Sequence, residues 1–166
     1  MRNIVLIGFM GAGKTTIGQK LSKLLKRPVY DADDVVVQLS GRTIKEMFKE
    51  SEDVFRAEET KTIEYLSKKE GIIISCGGGV IKKPENIAYL QQTGKIFFLN
   101  RPLEEIAKSV DKSNRPMLQT DDDPVHRLYK ERFPLYMKYA DYVIPVDDNF
   151  NVTAKYIAEL VKKQGL

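Results

Sequence analysis

The feature that most constrains the fold is a glycine-rich segment, Gly8–Thr15, which reads G-x-x-x-x-G-K-T. It follows a short apolar run and precedes a helical pattern, the context in which this motif binds phosphate. Its glycines let the backbone curl so that N–H groups point at phosphate oxygens, and the helix beginning near Lys14 adds a positive dipole end. The motif predicts a nucleoside triphosphate site, in which Lys14 contacts the outer phosphates and the Thr15 hydroxyl can ligate Mg²⁺. A dinucleotide site is disfavoured, because the segment contains no G-x-G-x-x-G.

Short apolar runs alternate with longer amphipathic segments along the chain. The uninterrupted Ile72–Ile74 is typical of a strand buried on both faces of a parallel sheet. Helical spacing follows the glycine-rich segment and recurs at Glu52–Lys68 and from Asp123 to about Tyr139. A last amphipathic helix is predicted near the end of the chain from Val152, Tyr156, Ile157 and Leu160. A capping box, Thr43 with Glu46, predicts a further helix start. The alternation predicts an α/β fold with right-handed crossovers. The predicted strands are Asn3–Ile7, Pro28–Tyr30, Gly71–Ser75, Lys95–Leu99 and Tyr142–Pro145.

Composition narrows the class of protein. The 166 residues are 42% hydrophobic and 30% charged, which is typical of one globular domain. The net charge of +4 comes without a block of basic residues, so small anions are favoured as ligands over nucleic acid. The longest apolar stretch, Ile4–Gly13, is far shorter than the ~20 residues of a membrane helix, so no membrane association is expected. A single cysteine, Cys76, excludes an internal disulfide and indicates a reducing compartment, the cytoplasm.

Two carboxylates follow the second predicted strand. Asp31 and Asp33 lie two residues apart, so in an extended chain they project to the same side. Ligands of open α/β sheets collect at the carboxyl ends of strands, which places this pair beside the phosphate site. One can serve a metal ion, through water, while the other meets an acceptor hydroxyl. The alternative is a solvated turn with a helix N-cap, a role that Asp33 or Asp34 could fill.

Three successive glycines, Gly77, Gly78 and Gly79, follow the third predicted strand. Such a run costs conformational entropy, and it favours a close approach of the backbone to a ligand over a bare loop, which stays the alternative. Cys76, directly before them, is predicted to be a small buried hydrophobe.

Three arginines are candidate anion-binding residues. Arg132 lies on the apolar side of its predicted helix, so it needs either a ligand anion or a structural ion pair. Arg56 lies at the margin of an apolar helix face, where a snorkelling surface arginine is the alternative. If the two converge, they can hold a carboxylate by bidentate hydrogen bonds. Arg115 belongs to a polar segment, Val110–Asp122, that fits neither the helical nor the strand pattern. The segment is interpreted as a mobile excursion that carries Arg115 over the phosphates, and a solvent-exposed loop charge is the alternative for Arg115.

Taken together, these residues resemble the shikimate kinase family, in the nucleoside-monophosphate-kinase-like branch of P-loop folds. The resemblance spans nearly the whole chain, and the order and spacing of its motifs are more specific than any one of them. The matching motifs are Gly11–Thr15, Tyr30-Asp-x-Asp33, Gly41–Ile44, Glu52-x-x-Phe-Arg56, Gly77–Gly79, Asn114-Arg-Pro116 and Arg132-x-x-Leu-Tyr136.

The resemblance implies transfer of the γ-phosphoryl group of ATP to the 3-hydroxyl of shikimate, on the route to chorismate and the aromatic amino acids. It also implies a five-stranded parallel sheet of order 2-3-1-4-5 between layers of helices, with a mobile lid. The expected organisation is a single P-loop kinase domain, residues 1–166, with a shikimate-binding region at about 31–60 and a lid at about 110–122. Members are usually monomers, so a monomer is expected.

Residue by residue, the resemblance implies three catalytic groups, with Asp33 as the base, Lys14 on the phosphates and Arg115 as the lid arginine. It implies one Mg²⁺ per subunit, ligated by Thr15 and reached by Asp31 through water. The implied shikimate-binding residues are Asp33, Arg56, Gly77, Gly78, Gly79 and Arg132, and the implied ATP-binding residues are Gly11, Ala12, Gly13, Lys14, Thr15, Thr16 and Arg115.

The chain departs from the family at three places. Val37 stands where the family often has glutamate, which removes a charge near the substrate-binding helix. Ser51 stands where the family has glycine before the glutamate. On the adenine side, the family's basic residue has no clear counterpart, and Asp147–Asn151 offers its backbone and Asn149 instead.

Two other functions remain open at this level. One is another small-molecule kinase of the same fold, acting on gluconate or a nucleoside monophosphate, although the Asp-Gly-x-Pro-Arg signature of nucleotide kinases is absent. The other is a catalytically silent kinase-like binding protein, against which the presence of Lys14, Asp33 and Arg115 argues.

Overall fold

Five parallel strands form one sheet in the order β2-β3-β1-β4-β5 in the computed structural model, which describes residues 1–109 and 124–166. Neighbouring strands are in parallel register, as in the pairing of Ile4 with Ile73 and of Phe97 with Tyr142. The predicted sheet and its order are confirmed, and each strand lies within two residues of its predicted bounds. The strands are β1 Asn3–Ile7, β2 Val29–Asp31, β3 Ile73–Ser75, β4 Gly94–Asn100 and β5 Tyr142–Pro145.

Helices connect the strands and cover the sheet. Sequence patterns identify α1, α3, α4, α7 and α8 but not α2, α5 or α6. The predicted cap at Thr43 is present, since its hydroxyl accepts the Glu46 N–H at 3.1 Å. Among residues 1–109 and 124–166, no helix has the length and apolar character needed to cross a membrane. The helices are α1 Lys14–Leu25, α2 Ala32–Ser40, α3 Ile44–Glu50, α4 Glu52–Ser67, α5 Pro84–Thr93, α6 Leu103–Ser109, α7 Pro124–Tyr139 and α8 Phe150–Lys163, with a 3₁₀ turn at Val80–Lys82.

The sheet is the middle of three layers. Alternate residues of β1 point to opposite faces, so Val5 packs with α4, α5 and α7 while Leu6 packs with α1 and α8. The predicted inner face of α8 is partly wrong. Val152 and Tyr156 are 50% and 51% exposed, whereas the predicted Ile157 is buried, and the buried face continues through Thr153, Ala154, Ala158 and Val161.

Helix α2 begins directly at the end of β2, which changes the expected geometry of the aspartates. Asp31 is the N-cap, and its Oδ1 accepts the N–H groups of Asp33 at 3.0 Å and Asp34 at 3.3 Å. Asp33 therefore lies in the first helical turn and not in extended chain, and the cap is Asp31 rather than Asp33 or Asp34. The helix ends at Gly41, whose φ of 69° is left-handed.

The ends of β1, β2 and β3 bring three loops to one edge of the sheet. Because these strands are adjacent and parallel, the glycine-rich loop after Ile7, the aspartates after Tyr30 and the glycines after Cys76 meet there. Cys76 itself is buried, as predicted.

Candidate active site

The loop between β1 and α1 forms the first half of the site. Gly11 and Gly13 have φ values of 77° and 97°, which strongly favour glycine. Gly13 is the N-cap of α1, so the first N–H groups of that helix open toward the loop. A cavity of about 250 Å³ lies here, and it is lined by Gly11, Gly13, Lys14, Thr15 and Thr16.

The Lys14 ammonium lies inside this loop. Its Nζ donates to the carbonyl oxygens of Gly8 at 2.6 Å and Phe9 at 3.0 Å. Burial lowers the pKa of Lys14 to about 8, although the nearby carboxylates of Asp33 and Asp31 oppose the shift. Anionic oxygens placed beside Lys14 would favour its charged form.

Thr15 and Asp31 present oxygen atoms at the edge of the same loop. The Thr15 hydroxyl donates to Asp31 Oδ2 at 3.3 Å. The other carboxylate oxygen of Asp31 is held by the N-terminus of α2, so the side chain has a fixed orientation. Hydroxyl and carboxylate oxygens suit Mg²⁺, which takes few protein ligands and completes its shell with phosphate and water.

A second cavity of about 170 Å³ gathers the predicted acceptor-binding residues. Asp33, Arg56, Arg132 and the Gly77–Gly79 run all line it. The second cavity borders the phosphate loop, because a Cβ on Gly78 would lie 3.7 Å from the Gly8 carbonyl oxygen of that loop. The remaining lining residues are Ile44, Phe48, Phe55 and Glu59.

Asp33 lines the second cavity, and its charge acts on Lys14 of the phosphate loop. Its Oδ1 is buried and accepts no hydrogen bond from residues 1–109 or 124–166. Burial, followed by the charge of Asp31, raises the pKa of Asp33 above its usual range, while Lys14 and Arg56 oppose the rise. The Asp33 carboxylate is therefore more basic than that of an exposed aspartate.

Arg56 is buried, which excludes the snorkelling alternative. Its Nη1 donates to Glu59 Oε1 at 2.9 Å, its Nε lies 3.7 Å from Glu52 Oε2, and its guanidinium lies 5.0 Å from the centroid of the Phe55 ring. Lys82 in turn binds Glu52 at 2.7 Å, which fixes that carboxylate from the glycine side of the cavity. Arg56 thus has its position set before any acceptor binds.

Glu59 is a site residue that sequence patterns do not single out. It is 1% exposed, and burial raises its pKa although Arg56 opposes the shift. The sequence feature that could have identified Glu59 is its position one helical turn after Arg56, a spacing that places the two side chains on the same helix face.

Arg132 enters the cavity from α7. Its Nε is buried and has no hydrogen-bond acceptor in the described part of the chain, and no carboxylate there pairs with it. One turn later, the Tyr136 hydroxyl donates to the Gly78 carbonyl oxygen at 2.6 Å, and burial raises the pKa of Tyr136 to about 12. The absence of an ion pair within residues 1–109 and 124–166 favours a ligand anion as the partner of Arg132.

Gly79 is in contact with the Arg56 guanidinium. A Cβ at residue 79 would lie 2.6 Å from Arg56 Cζ, and that group cannot move freely because Glu59 and Glu52 hold it. We expect Gly79→Ala to raise the KM for the acceptor about tenfold through displacement of one charged donor, while the KM for ATP stays unchanged. Steady-state kinetics with each substrate varied separately would check this. An unaltered acceptor KM would show that the guanidinium does not need its observed position.

The predictions on Arg115, on its neighbours Asn114 and Pro116, on the Val110–Asp122 segment and on a cap at Asp123 fall outside the described residues. Of the departures, Ser51 has a local role, since its hydroxyl accepts the Val54 N–H at 3.2 Å as the cap of α4. Asn149 caps α8 by accepting the Asn151 N–H at 3.0 Å, so its side-chain oxygen is already used.

Comparisons with known proteins place the chain in one family. A family model described as shikimate kinase matches residues 10–162. A shikimate kinase of Clostridium beijerinckii is 39% identical over 97% of this chain and 96% of its own length. The solved structure of shikimate kinase from Acinetobacter baumannii in complex with shikimate is 34% identical, with a TM-score of 0.87 over 100% of this chain and 96% of that one.

A gluconokinase from Sinorhizobium meliloti shares the fold alone. It is 14% identical, with a TM-score of 0.56 over 99% of this chain and 98% of that one. The higher sequence identity to shikimate kinases thus supports that family over a gluconate or nucleotide kinase. The chain is an ATP-dependent phosphotransferase with an alcohol group as acceptor, and it belongs to the shikimate kinase family.

Proposed function

We propose that the chain transfers the γ-phosphoryl group of ATP to the 3-hydroxyl of shikimate, giving shikimate 3-phosphate and ADP. The observation that carries the proposal is that Asp33, Arg56 and Arg132 line one small cavity that adjoins the phosphate loop. A hydroxylated carboxylic acid fits this set, because the guanidinium groups suit its carboxylate and Asp33 suits a hydroxyl.

In the proposed binding mode, Arg56 and Arg132 hold the shikimate carboxylate. Arg56 comes with its own counter-ion, Glu59, so it acts as a fixed donor, whereas Arg132 brings a buried Nε without a carboxylate partner in the described ranges. Because Gly77–Gly79 have no side chains, their backbone can lie close to the shikimate ring in this binding mode. Anchoring the carboxylate at one end directs a ring hydroxyl toward Asp33 and the phosphates, which is the positioning on which phosphoryl transfer depends.

Asp33 is the proposed base. As the acceptor oxygen bonds to the γ-phosphorus and the bond to the β–γ bridging oxygen breaks, the hydroxyl proton passes to Asp33 and the leaving electron pair stays on ADP. The raised pKa makes the Asp33 carboxylate a better proton acceptor than an exposed aspartate. The carboxylate of Asp33 is the group proposed to take the proton.

Lys14, the loop amides and Thr16 are proposed to hold the phosphates, with Arg115 as a further cation on them by the family resemblance. Thr15 and Asp31 offer the fixed oxygen pair described above and would hold one Mg²⁺, Asp31 through water. When bound, the ion would neutralise charge that develops on the phosphates. Gly11, Ala12 and Gly13 would act through the loop backbone, in which the Ala12 N–H already donates to the Phe9 oxygen.

The organisation proposed for the chain is a single domain, residues 1–166, that acts as a monomer in the cytoplasm. A shikimate-binding region at about 31–60 is supported by a small core of its own, in which Val36, Met47 and Phe55 are buried together. A lid at about 110–122 remains a proposal from the resemblance.

The pH dependence should follow the two shifted groups. Lys14 is charged below its pKa of about 8 and neutral above it, so kcat/KM for ATP should fall about tenfold per pH unit beyond that point. On the acid side, kcat should fall at a higher pH than an ordinary aspartate would give, because the pKa of Asp33 is raised. Profiles of kcat/KM for ATP and of kcat between about pH 4 and pH 10 check the two limbs. A flat alkaline limb would show that the charge on Lys14 is not needed for ATP capture.

A coupled ADP-release assay tests the proposal most simply. With shikimate, gluconate and AMP offered separately, we expect turnover with shikimate only. Turnover with gluconate or AMP instead would replace the proposed acceptor, and no turnover with any of the three would favour the silent binding protein.

A further inference from the structure

The phosphate loop is contacted by an arginine that the proposed chemistry does not use. Arg101, directly after β4, donates from Nη1 to the Gly11 carbonyl oxygen at 2.7 Å. The peptide between Gly11 and Ala12 is planar, so its N–H points the opposite way from its carbonyl. The Ala12 N–H accordingly points across the loop and donates to the Phe9 oxygen at 3.1 Å. Fixing the Gly11 carbonyl therefore also fixes the Ala12 N–H, whose hydrogen bond to the Phe9 oxygen closes a turn of the loop.

Phe150, the first residue of α8, presses on the same loop. A Cβ on Gly13 would lie 2.9 Å from the Phe150 Cζ, so the ring lies directly against this left-handed glycine. The Arg101 guanidinium lies 5.3 Å from the centroid of the same ring, within the range of a cation–π contact. One aromatic ring thus connects the arginine on Gly11 with the glycine that caps α1.

We propose that Arg101 and Phe150 form a brace that holds the phosphate loop in its anion-binding conformation. They are positioning residues, because they act on ATP through Gly11 and Gly13 and not by touching it. A loop whose glycines adopt left-handed φ values has other accessible conformations, and restricting it in advance lowers the conformational cost of binding. The brace should therefore set the affinity for the phosphates and leave the acceptor cavity unaffected.

Arg101→Ala is the first test, with Lys23→Ala as its control. Lys23 is an exposed cation at the far end of α1, so its removal reports on loss of charge alone. We expect the KM for ATP and the Kd for Mg·ADP to rise about tenfold in Arg101→Ala, as for one charge-assisted hydrogen bond, with the KM for shikimate and the melting temperature as in the control. A rise in both KM values, a fall in melting temperature with unchanged affinity, or no change at all would overturn the proposal.

Inorganic pyrophosphate separates action through the loop from direct contact with the nucleoside. If the brace acts on the loop, isothermal titration should show Arg101→Ala losing affinity for pyrophosphate and for Mg·ADP by the same factor. A loss confined to Mg·ADP would mean that Arg101 contacts the nucleoside, and the brace would be rejected.

A double-mutant cycle tests the coupling of the two residues. Phe150→Leu keeps an apolar side chain against Gly13 but removes the ring, and we expect it to weaken Mg·ADP binding in the same direction. In the double variant the loss should be clearly smaller than the product of the two single losses, because each residue needs the other. Multiplied losses would show two independent contacts, and an unaffected Phe150→Leu would remove the ring from the brace.

Discussion

Asp33→Asn is expected to lower kcat by about 10³-fold, within the range by which a positioned base contributes. Asparagine keeps the size and the place of the side chain in the first turn of α2 but cannot take a proton. The loss should arise at the Asp33 carboxylate, which lines the cavity and has a raised pKa. Saturating steady-state kinetics would measure it, and the acid limb of the kcat profile should disappear in the same variant.

Asp34→Asn is the matched control, because Asp34 is the next residue of the same helical turn and is exposed. Its kcat should equal that of the unaltered chain. If Asp33→Asn instead kept more than about a tenth of kcat, the rise in activation free energy would be less than about 1.4 kcal/mol. In that case Asp33 would only orient the hydroxyl, and another group would accept the proton.

Arg132→Ala is expected to raise the KM for shikimate about 10²-fold, since truncating one partner of a buried charged pair costs about 2–5 kcal/mol. The KM for ATP should change by no more than about threefold, a loss below 0.7 kcal/mol. Arg132 is preferable to Arg56 for this test. Loss of Arg56 would leave Glu59 buried without its ion-pair partner, and the resulting instability would obscure the binding effect.

Lys130→Ala controls for the loss of a positive charge, since Lys130 is an exposed residue on the same helix. Shikimate and ATP would be varied in turn, and unfolding would be followed for all three proteins. Equal losses of affinity for both substrates, or a marked loss of stability, would assign Arg132 a structural role.

Local sequence patterns predicted the phosphate-binding half of the site. The phosphate loop is read from one short segment, because its glycines, Lys14 and Thr15 act through backbone geometry and sequence spacing. The edge of the sheet follows as well, since apolar runs mark β1 and β3 and parallel strands place their carboxyl ends together.

Tertiary contacts decided what the patterns missed. Val35 and Val36 belong to a β-branched run that by itself favours a strand, yet the Asp31 cap and burial of that face make it part of α2. That helix in turn moved Asp33 out of extended chain. The burial of Glu59 against Arg56 depends on the fold as a whole, so its spacing alone could not separate it from a surface ion pair.

The central claim is that one cavity holds the acid and presents its hydroxyl to Asp33 beside the phosphates. A crystal structure with Mg·ADP and shikimate tests it most directly. The account predicts the shikimate carboxylate between the guanidinium groups of Arg56 and Arg132, with the 3-hydroxyl within hydrogen-bond distance of Asp33. Shikimate bound with its carboxylate away from both arginines, or with another group facing Asp33, would contradict it.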